Sequence, residues 1–247
     1  MTRLKTVIHV HTHYSYDSNR SPEDLVREAR RAGVDCVAVT DHNGIAGALA
    51  AQALGGVHII VGEEITSTDG HIIGLFMHEH VPAGLSAEET AQRIRDQGGL
   101  VLAPHPFTIL CQHSLGPEAL ARLRPWLDAV EVCNAQDFLL WENTRAQRFA
   151  EENGITPYVG DDSHLRGYLA SCCQMVPAFD GPAEFRAALR QATLVPGRHP
   201  LRYFATMALH QARRRITGRP LRNWGANAPG VPTATTAGGK ASLVSTD

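Results

Sequence analysis

A chain of 247 residues, 43% hydrophobic and 19% charged, has the composition of an ordinary globular protein with room for one substantial core or two small ones. Its formal charge of −2 removes any whole-chain electrostatic case for duplex DNA or an anionic membrane. No apolar stretch is long enough to cross a bilayer, so no membrane is expected as a partner.

Short apolar runs alternate with amphipathic stretches up to about residue 195. Strand-like runs fall at 6–11, 35–40, 57–62, 71–77, 100–103, 129–132 and 156–160, rich in Val and Ile and almost continuously apolar, as strands buried on both faces should be. Between them lie helices with proper starts: Ser21 precedes Pro22 with Asp24 three residues on, and Ser86 with Glu89 forms a Ser-x-x-Glu box. Gly33 and Gly98 stand just past the apolar periodicity, where left-handed helix ends belong. The β-α-β-α order predicts parallel strands joined by helical crossovers, and seven strands with polar C-terminal ends favour a barrel over an open sheet. The expected division is a folded domain over 1–200, an amphipathic helix within 201–222 ending near Arg213, Arg214 and Arg215, and a flexible Gly/Ala/Thr/Pro/Ser tail over 223–247.

The five cysteines, Cys36, Cys111, Cys133, Cys172 and Cys173, lack the Cys-x-x-Cys spacing of structural zinc. Cys36 and Cys133 sit in apolar runs and read as buried reduced thiols. With no apolar signal core in residues 1–10, a cytoplasmic location is expected.

The chemistry gathers at strand ends. His9 and His11, two apart on the first strand, project to one face. The second strand ends Thr40-Asp41-His42-Asn43, the third Gly62-Glu63-Glu64, the fifth Pro104-His105-Pro106, and the seventh Gly160-Asp161-Asp162-Ser163-His164. In a barrel these ends converge on one mouth, and His, Asp and Glu so arranged suit Zn, Mn or Fe.

In order and spacing, His9-Val10-His11-Thr12, Tyr14-Ser15-Tyr16-Asp17-Ser18, Thr40-Asp41-His42, Gly62-Glu63-Glu64-Ile65-Thr66, Pro104-His105-Pro106-Phe107 and Asp162-Ser163-His164 resemble the PHP (polymerase and histidinol phosphatase) family over about residues 7–195. The resemblance implies an α/β fold, a distorted seven-stranded (β/α) barrel, with two or three divalent metal ions (Zn, Mn or Fe). It implies one metal among His9, His11, Glu64 and Asp162. Glu64 would bridge to a second metal helped by His105 and by His71, and a third position would use Asp17, His42 and His164. His71 opens its strand instead of closing it, so His78 and His80, near the far end of the same run, compete for its role.

The implied activity is hydrolysis of a phosphoester by metal-activated hydroxide, with Asp162, His105 and Asn134 as the catalytic set. A small phosphorylated substrate or short nucleic acid would be the partner, and inorganic phosphate a product. A non-ligating histidine at the mouth is the natural proton donor, although the sequence does not single one out.

Several positions depart from the family pattern. Asp161 adds a carboxylate beside Asp162 and, by alternation, is expected to face solvent. Glu131 is expected on the side away from the site, as a structural residue, and His13 past the first strand. After Phe107 the chain runs Thr108-Ile109-Leu110-Cys111, where an Asp and an Arg serving substrate are expected. Two other functions compete. A metal-dependent amide hydrolase would bridge its metals with a carboxylated lysine, but the only lysines are Lys5, before the first strand, and Lys240, in the tail. A non-catalytic metal-binding module would have lost ligands, and none of the core set is missing.

Overall fold

The computed structural model describes residues 2–109, 113–137 and 140–217. The 223–247 tail, residues 218–222, Cys111, Lys240 and the side chains of Arg214 and Arg215 lie outside the described residues.

In chain order the elements are β1 (Arg3–Val10), α1 (Pro22–Arg31), β2 (Cys36–Val39), α2 (Ala46–Leu54), β3 (His58–Thr66), β4 (His71–Leu75), α3 (Ala87–Asp96), β5 (Leu100–Ala103), α4 (Gly116–Leu123), β6 (Ala129–Asn134), α5 (Leu140–Asn153), β7 (Thr156–Ser163), β8 (Cys173–Pro177), α6 (Gly181–Leu189), β9 (Thr193–Val195) and α7 (Leu201–Thr217). Strands β1 to β7 pair in sequence order, and β7 returns to β1, so the seven close into a barrel. The first half of β1 turns to a different partner, the antiparallel β8, with β9 beyond it. Those last two strands are too short and mixed in character to stand out in the sequence.

One strand does not follow the parallel rule. β4 runs antiparallel to both β3 and β5, because the turn 67–70 replaces a helical crossover. Ser67 builds that turn: its hydroxyl accepts from the amides of Asp69 and Gly70 and donates to the carbonyl of Gly70. Gly70 sits at φ +143, and a Cβ there would lie 2.7 Å from the amide nitrogen of Leu115. Only glycine lets the segment around residue 113 press on the turn. The reversal brings the start of β4 to the mouth where the other strands end.

Helix boundaries follow their local signals. The hydroxyl of Ser21 accepts from the amide of Asp24, and Ser86 and Glu89 close a full capping box. Gly33 and Gly98 take φ +61 and +76 after α1 and α3.

Inward-pointing Ile8, Cys36, Ala38, Ile60, Ile73, Leu102 and Tyr158 fill the barrel, and Phe185 of α6 closes its lower end beside Phe76 and Phe179. Outward-pointing Val7, Val37, Val39, Val101 and Val130 pack under the helices. Apolar filling on one side of this plug leaves polar groups to crowd the opposite mouth.

Candidate metal centre

β1 delivers its two histidines through a bulge. Its register slips against both neighbours just before Val10, and His9 takes φ +67. Each ring is held from behind. Nδ1 of His9 lies 3.0 Å from Oε1 of Glu131, and Nδ1 of His11 lies 2.9 Å from the Ser15 hydroxyl. That hydroxyl donates to Asp41 and accepts from the amide of His42, so the histidine must donate to it. Both rings therefore turn Nε2 inward, the orientation that metal-ligating histidines take from such partners.

Glu64, at the end of β3, is the hub. Its Oε2 faces Nε2 of His9 at 3.4 Å, Nε2 of His11 at 3.3 Å and Nδ1 of His42 at 3.1 Å. Its Oε1 faces Nδ1 of His71 at 2.9 Å and Nε2 of His105 at 3.1 Å. Asp162, on β7 at φ +46, brings Oδ1 to 3.4 Å from His9 and 3.5 Å from His11. On the outer side, Oδ2 of Asp17 lies 3.5 Å from Nε2 of His42 and 3.3 Å from Nε2 of His164. All nine residues expected to ligate thus meet at one mouth. His71 is among them because β4 starts there. Exposed His78 is at the other end of β4, and nearby His80 pairs with Glu63 at 2.7 Å.

The electrostatics are those of crowded charge out of water. Burial opposes ionisation throughout, but the facing imidazoles hold Asp17, Glu64 and Asp162 well below the ordinary carboxylate range. Against the same burial, Glu64, Asp162 and Glu131 hold His105 up at about 9, and Asp17 does the same for His164. His11 is pushed down to about 3 and His71 to about 4, by burial above all.

The donor set fits divalent cations. Nε2 of His9, His11 and His164 and Nδ1 of His42, His71 and His105 are buried without a hydrogen-bond partner among the described residues. Buried polar atoms are normally satisfied by hydrogen bonds, and five of these nitrogens, all but Nδ1 of His105, instead face oxygens of Asp17, Glu64 or Asp162 at 2.9–3.5 Å, an arrangement that suits a cation between them. Ligand atoms of His9, His11 and Glu64, of His9, His105 and Asp162, of His42, Glu64 and His71, and of His11, His42 and His164 each lie within 4.8 Å of one another.

Other expectations change. Asp161 is fully buried and does not face solvent: its carboxylate accepts from the amides of Ala170 and Cys172, under the loop before β8. Glu131 does not point away. A register shift after it turns the side chain into the barrel, where it also accepts from the amide of His105 at 2.6 Å. Lys5 lies within β1 and not before it, and its ammonium donates to the carbonyl of Ala32. Exposed His13 stacks on Tyr14.

Asn134 donates its amide to Glu131 and to Asp162, at 2.9 and 3.0 Å. Four further residues went unnoticed in the sequence. His199 and Tyr203, leading into and lying on α7, bind the backbone of residues 161–164 from above. Arg20 is fully buried and ties the ends of β1 and β7 through the carbonyls of His11, Ser163 and Leu165. His113 is exposed, with its ring stacked on that of His71 at 4.8 Å.

Known proteins agree with this architecture. The family model described as PHP domain matches residues 8–124, and the one described as PHP-associated matches 141–194. An uncharacterized protein of Methanocaldococcus jannaschii is 41% identical over 145 residues, 53% of this chain and 82% of its own. A two-domain protein from Bacteroides vulgatus, containing a predicted PHP-like metal-dependent phosphoesterase, superimposes with TM-score 0.68 at 20% identity, over 79% of this chain and 65% of that one. The lesion-specific endonuclease Q of Pyrococcus furiosus superimposes with TM-score 0.61 at 16% identity, over 78% of this chain and 58% of that one. This chain therefore spans less than two thirds of either solved structure, and the likeness to both is one of fold. The matches begin within the first barrel strand and run into β9, and they place this chain in the PHP domain family.

Proposed function

We propose that this chain hydrolyses phosphoesters with two or three divalent ions held at the barrel mouth. The carrying observation is the division of Glu64, one oxygen facing His9, His11 and His42 and the other facing His71 and His105. A carboxylate so shared suits a bridge between neighbouring cations. The inner position would draw on His9, His11, Glu64 and Asp162, the second on Glu64, His71 and His105, and the outer on Asp17, His42 and His164. When bound, such cations bring the deprotonation of a water near neutral pH and offset the charge that builds on phosphoryl oxygens.

The chain's own groups do the rest. Glu131 fixes His9 and the backbone of His105, and Ser15 fixes His11. Asn134 holds the outer oxygen of Asp162, which keeps its other oxygen turned inward. His113 is the non-ligating imidazole the sequence left unnamed: it is exposed at the mouth and able to protonate a leaving oxygen.

The substrate reading is a small phosphomonoester, a nucleotide or the end of an oligonucleotide. Tyr16, stacked on His42 at 5.0 Å and partly exposed, offers a face to a base or sugar at the entrance. Among the described residues the amide-hydrolase reading finds no bridging lysine, since Lys5 is committed to the carbonyl of Ala32.

Metal-analysed protein, assayed against phosphomonoesters, dinucleotides and short single strands, tests the class. Turnover of one group with release of phosphate or a nucleotide is the expected result, and inertness towards all of them would remove the proposal. In the same assay His113→Ala should slow esters with poor leaving groups about 100-fold or more while sparing nitrophenyl esters. Equal loss on both would take the proton-donor role from His113.

A further inference from the structure

Outside the mouth, two thiols face each other in the wall of the barrel. Cys133 lies on β6 at the register shift, and Cys172 lies just before β8, with their sulfurs 3.9 Å apart. Both converge on the backbone of one residue, Gly197. The amide of Gly197 donates to the sulfur of Cys172 at 3.1 Å, and both thiols lie within donating distance of the Gly197 carbonyl. A Cβ on Gly197 would collide with the carbonyl of Ser171, so a glycine is needed to bring this backbone against the pair. The two thiols differ in access. Cys172 is fully buried, whereas Cys133 is part-exposed in a cavity of ≈ 330 Å3 between α5 and the sheet, lined by Val132, Ala150, Ile155, Pro157 and Leu194.

We propose that Cys133 and Cys172 form a peroxide-reactive dithiol that closes to a disulfide, with Cys133 the attacking thiol and Cys172 the resolving one. The thiolate of Cys133 attacks one oxygen of hydrogen peroxide; the O–O bond breaks, hydroxide leaves, and Cys133 becomes a sulfenic acid. The sulfur of Cys172 then displaces that oxygen as water, which carries away the Cys172 proton. Two thiols are oxidised by two electrons and one peroxide becomes two waters.

Access and acidity agree on the order of events. The Cys172 thiol beside Cys133 holds the Cys133 thiol below its ordinary value, and thiolate is the reactive form. Closure needs the sulfurs to approach from 3.9 Å to the ~2.05 Å of a disulfide, a movement within the reach of side-chain rotation and small backbone shifts.

The bond would link two segments that touch the mouth. Cys133 precedes Asn134, whose amide holds Asp162, and the amide of Cys172 is bound by Asp161. The proposal stands on the thiol geometry alone and does not depend on the phosphoester reading.

The test uses the reduced full chain, treated with about one equivalent of hydrogen peroxide and mapped by proteolysis and mass spectrometry. A Cys173→Ser background keeps the adjacent thiol out of the assignment. A cross-link between the peptides of Cys133 and Cys172, reversed by dithiothreitol, is expected. Cys172→Ser should halt at a sulfenic acid on Cys133 that a dione reagent traps, and Cys133→Ser should slow peroxide consumption at least about tenfold. Cross-links that use Cys36 or Cys111 in place of this pair, or an unoxidised pair in the folded parent after excess peroxide, would overturn the proposal. The parent map decides even if a variant fails to fold.

Discussion

Asp161 and Asp162 are neighbours in the chain with different surroundings. Asp162 meets the imidazoles of His9 and His11, while Asp161 satisfies two backbone amides in the loop before β8. Removing Asp161 leaves buried donors unpaired, at a cost of about 1–3 kcal/mol each. Asp161→Ala should therefore lower the melting temperature yet retain metal in the folded fraction, and Asp162→Ala should lose metal and remain folded. Equal metal loss at the two positions would contradict this division.

Glu131 gives a second contrast. Glu131→Gln should weaken metal affinity about 10–100-fold in a chelator competition, because His9 loses its orienting carboxylate. Unchanged affinity would mean that the contact is idle. The alternation rule sends Glu131 to the outside, and it deviates because a register shift breaks the two-residue period near the end of β6. Asp161 does point away from Asp162 as the rule requires, but the loop before β8 covers that side and takes the place of solvent. What sequence conveys well is residue type at strand ends; what it conveys poorly is direction, where the backbone is irregular.

Among the elements, β4 shows how local chemistry decides a site. Its antiparallel course follows from the turn at 67–70, and it carries His71 to the mouth although that residue opens its strand. The apolar runs and capping signals made β1 to β7, α1 and α3 legible, since each reports its own burial or its own unpaired amides. β8, β9 and the anchoring role of α7 were not legible, because they depend on contacts distant in sequence, such as Tyr203 with the backbone at 162 and 164. Gly70→Ala tests the turn. A strained φ and a collision with the segment at residues 113–115 should cost about 1–3 kcal/mol and weaken metal binding by displacing His71 and His113 together. A variant with parental melting temperature and parental metal content would show that the turn tolerates a side chain.

At the scale of the molecule, the mouth sets opposing pH responses. Without metal, His105 and His164 are held up at about 9, above the ordinary 6.5 of an unfolded chain. Their contribution to stability is fully present below 6.5 and is lost as pH rises through about 9. Asp17, Glu64 and Asp162 are held low, so their contribution is present above the ordinary carboxylate range and is lost as pH falls below it. His11 and His71, kept neutral with values of about 3 and 4, favour unfolding as pH drops below 6.5. Chelator-stripped protein should melt highest near pH 6.5 and lower on both sides. Imidazoles must be neutral to ligate, so metal loading at neutral pH should release protons, measurable in a pH-stat. Loading without proton release would contradict the charge state assigned to His105 and His164.

Joint measurement of bound metal and turnover bears most directly on the proposed activity. Protein purified without chelator, stripped in steps and reloaded with Mn, Fe or Zn, would be assayed at each step on a nitrophenyl phosphomonoester and a phosphodiester. The expected result is two or more divalent ions per loaded chain, with hydrolysis falling as they are removed and returning as they are restored. Hydrolysis independent of metal content, or a fully loaded protein inert to both esters while Asp162→Ala changes nothing, would contradict a metal-dependent phosphoesterase.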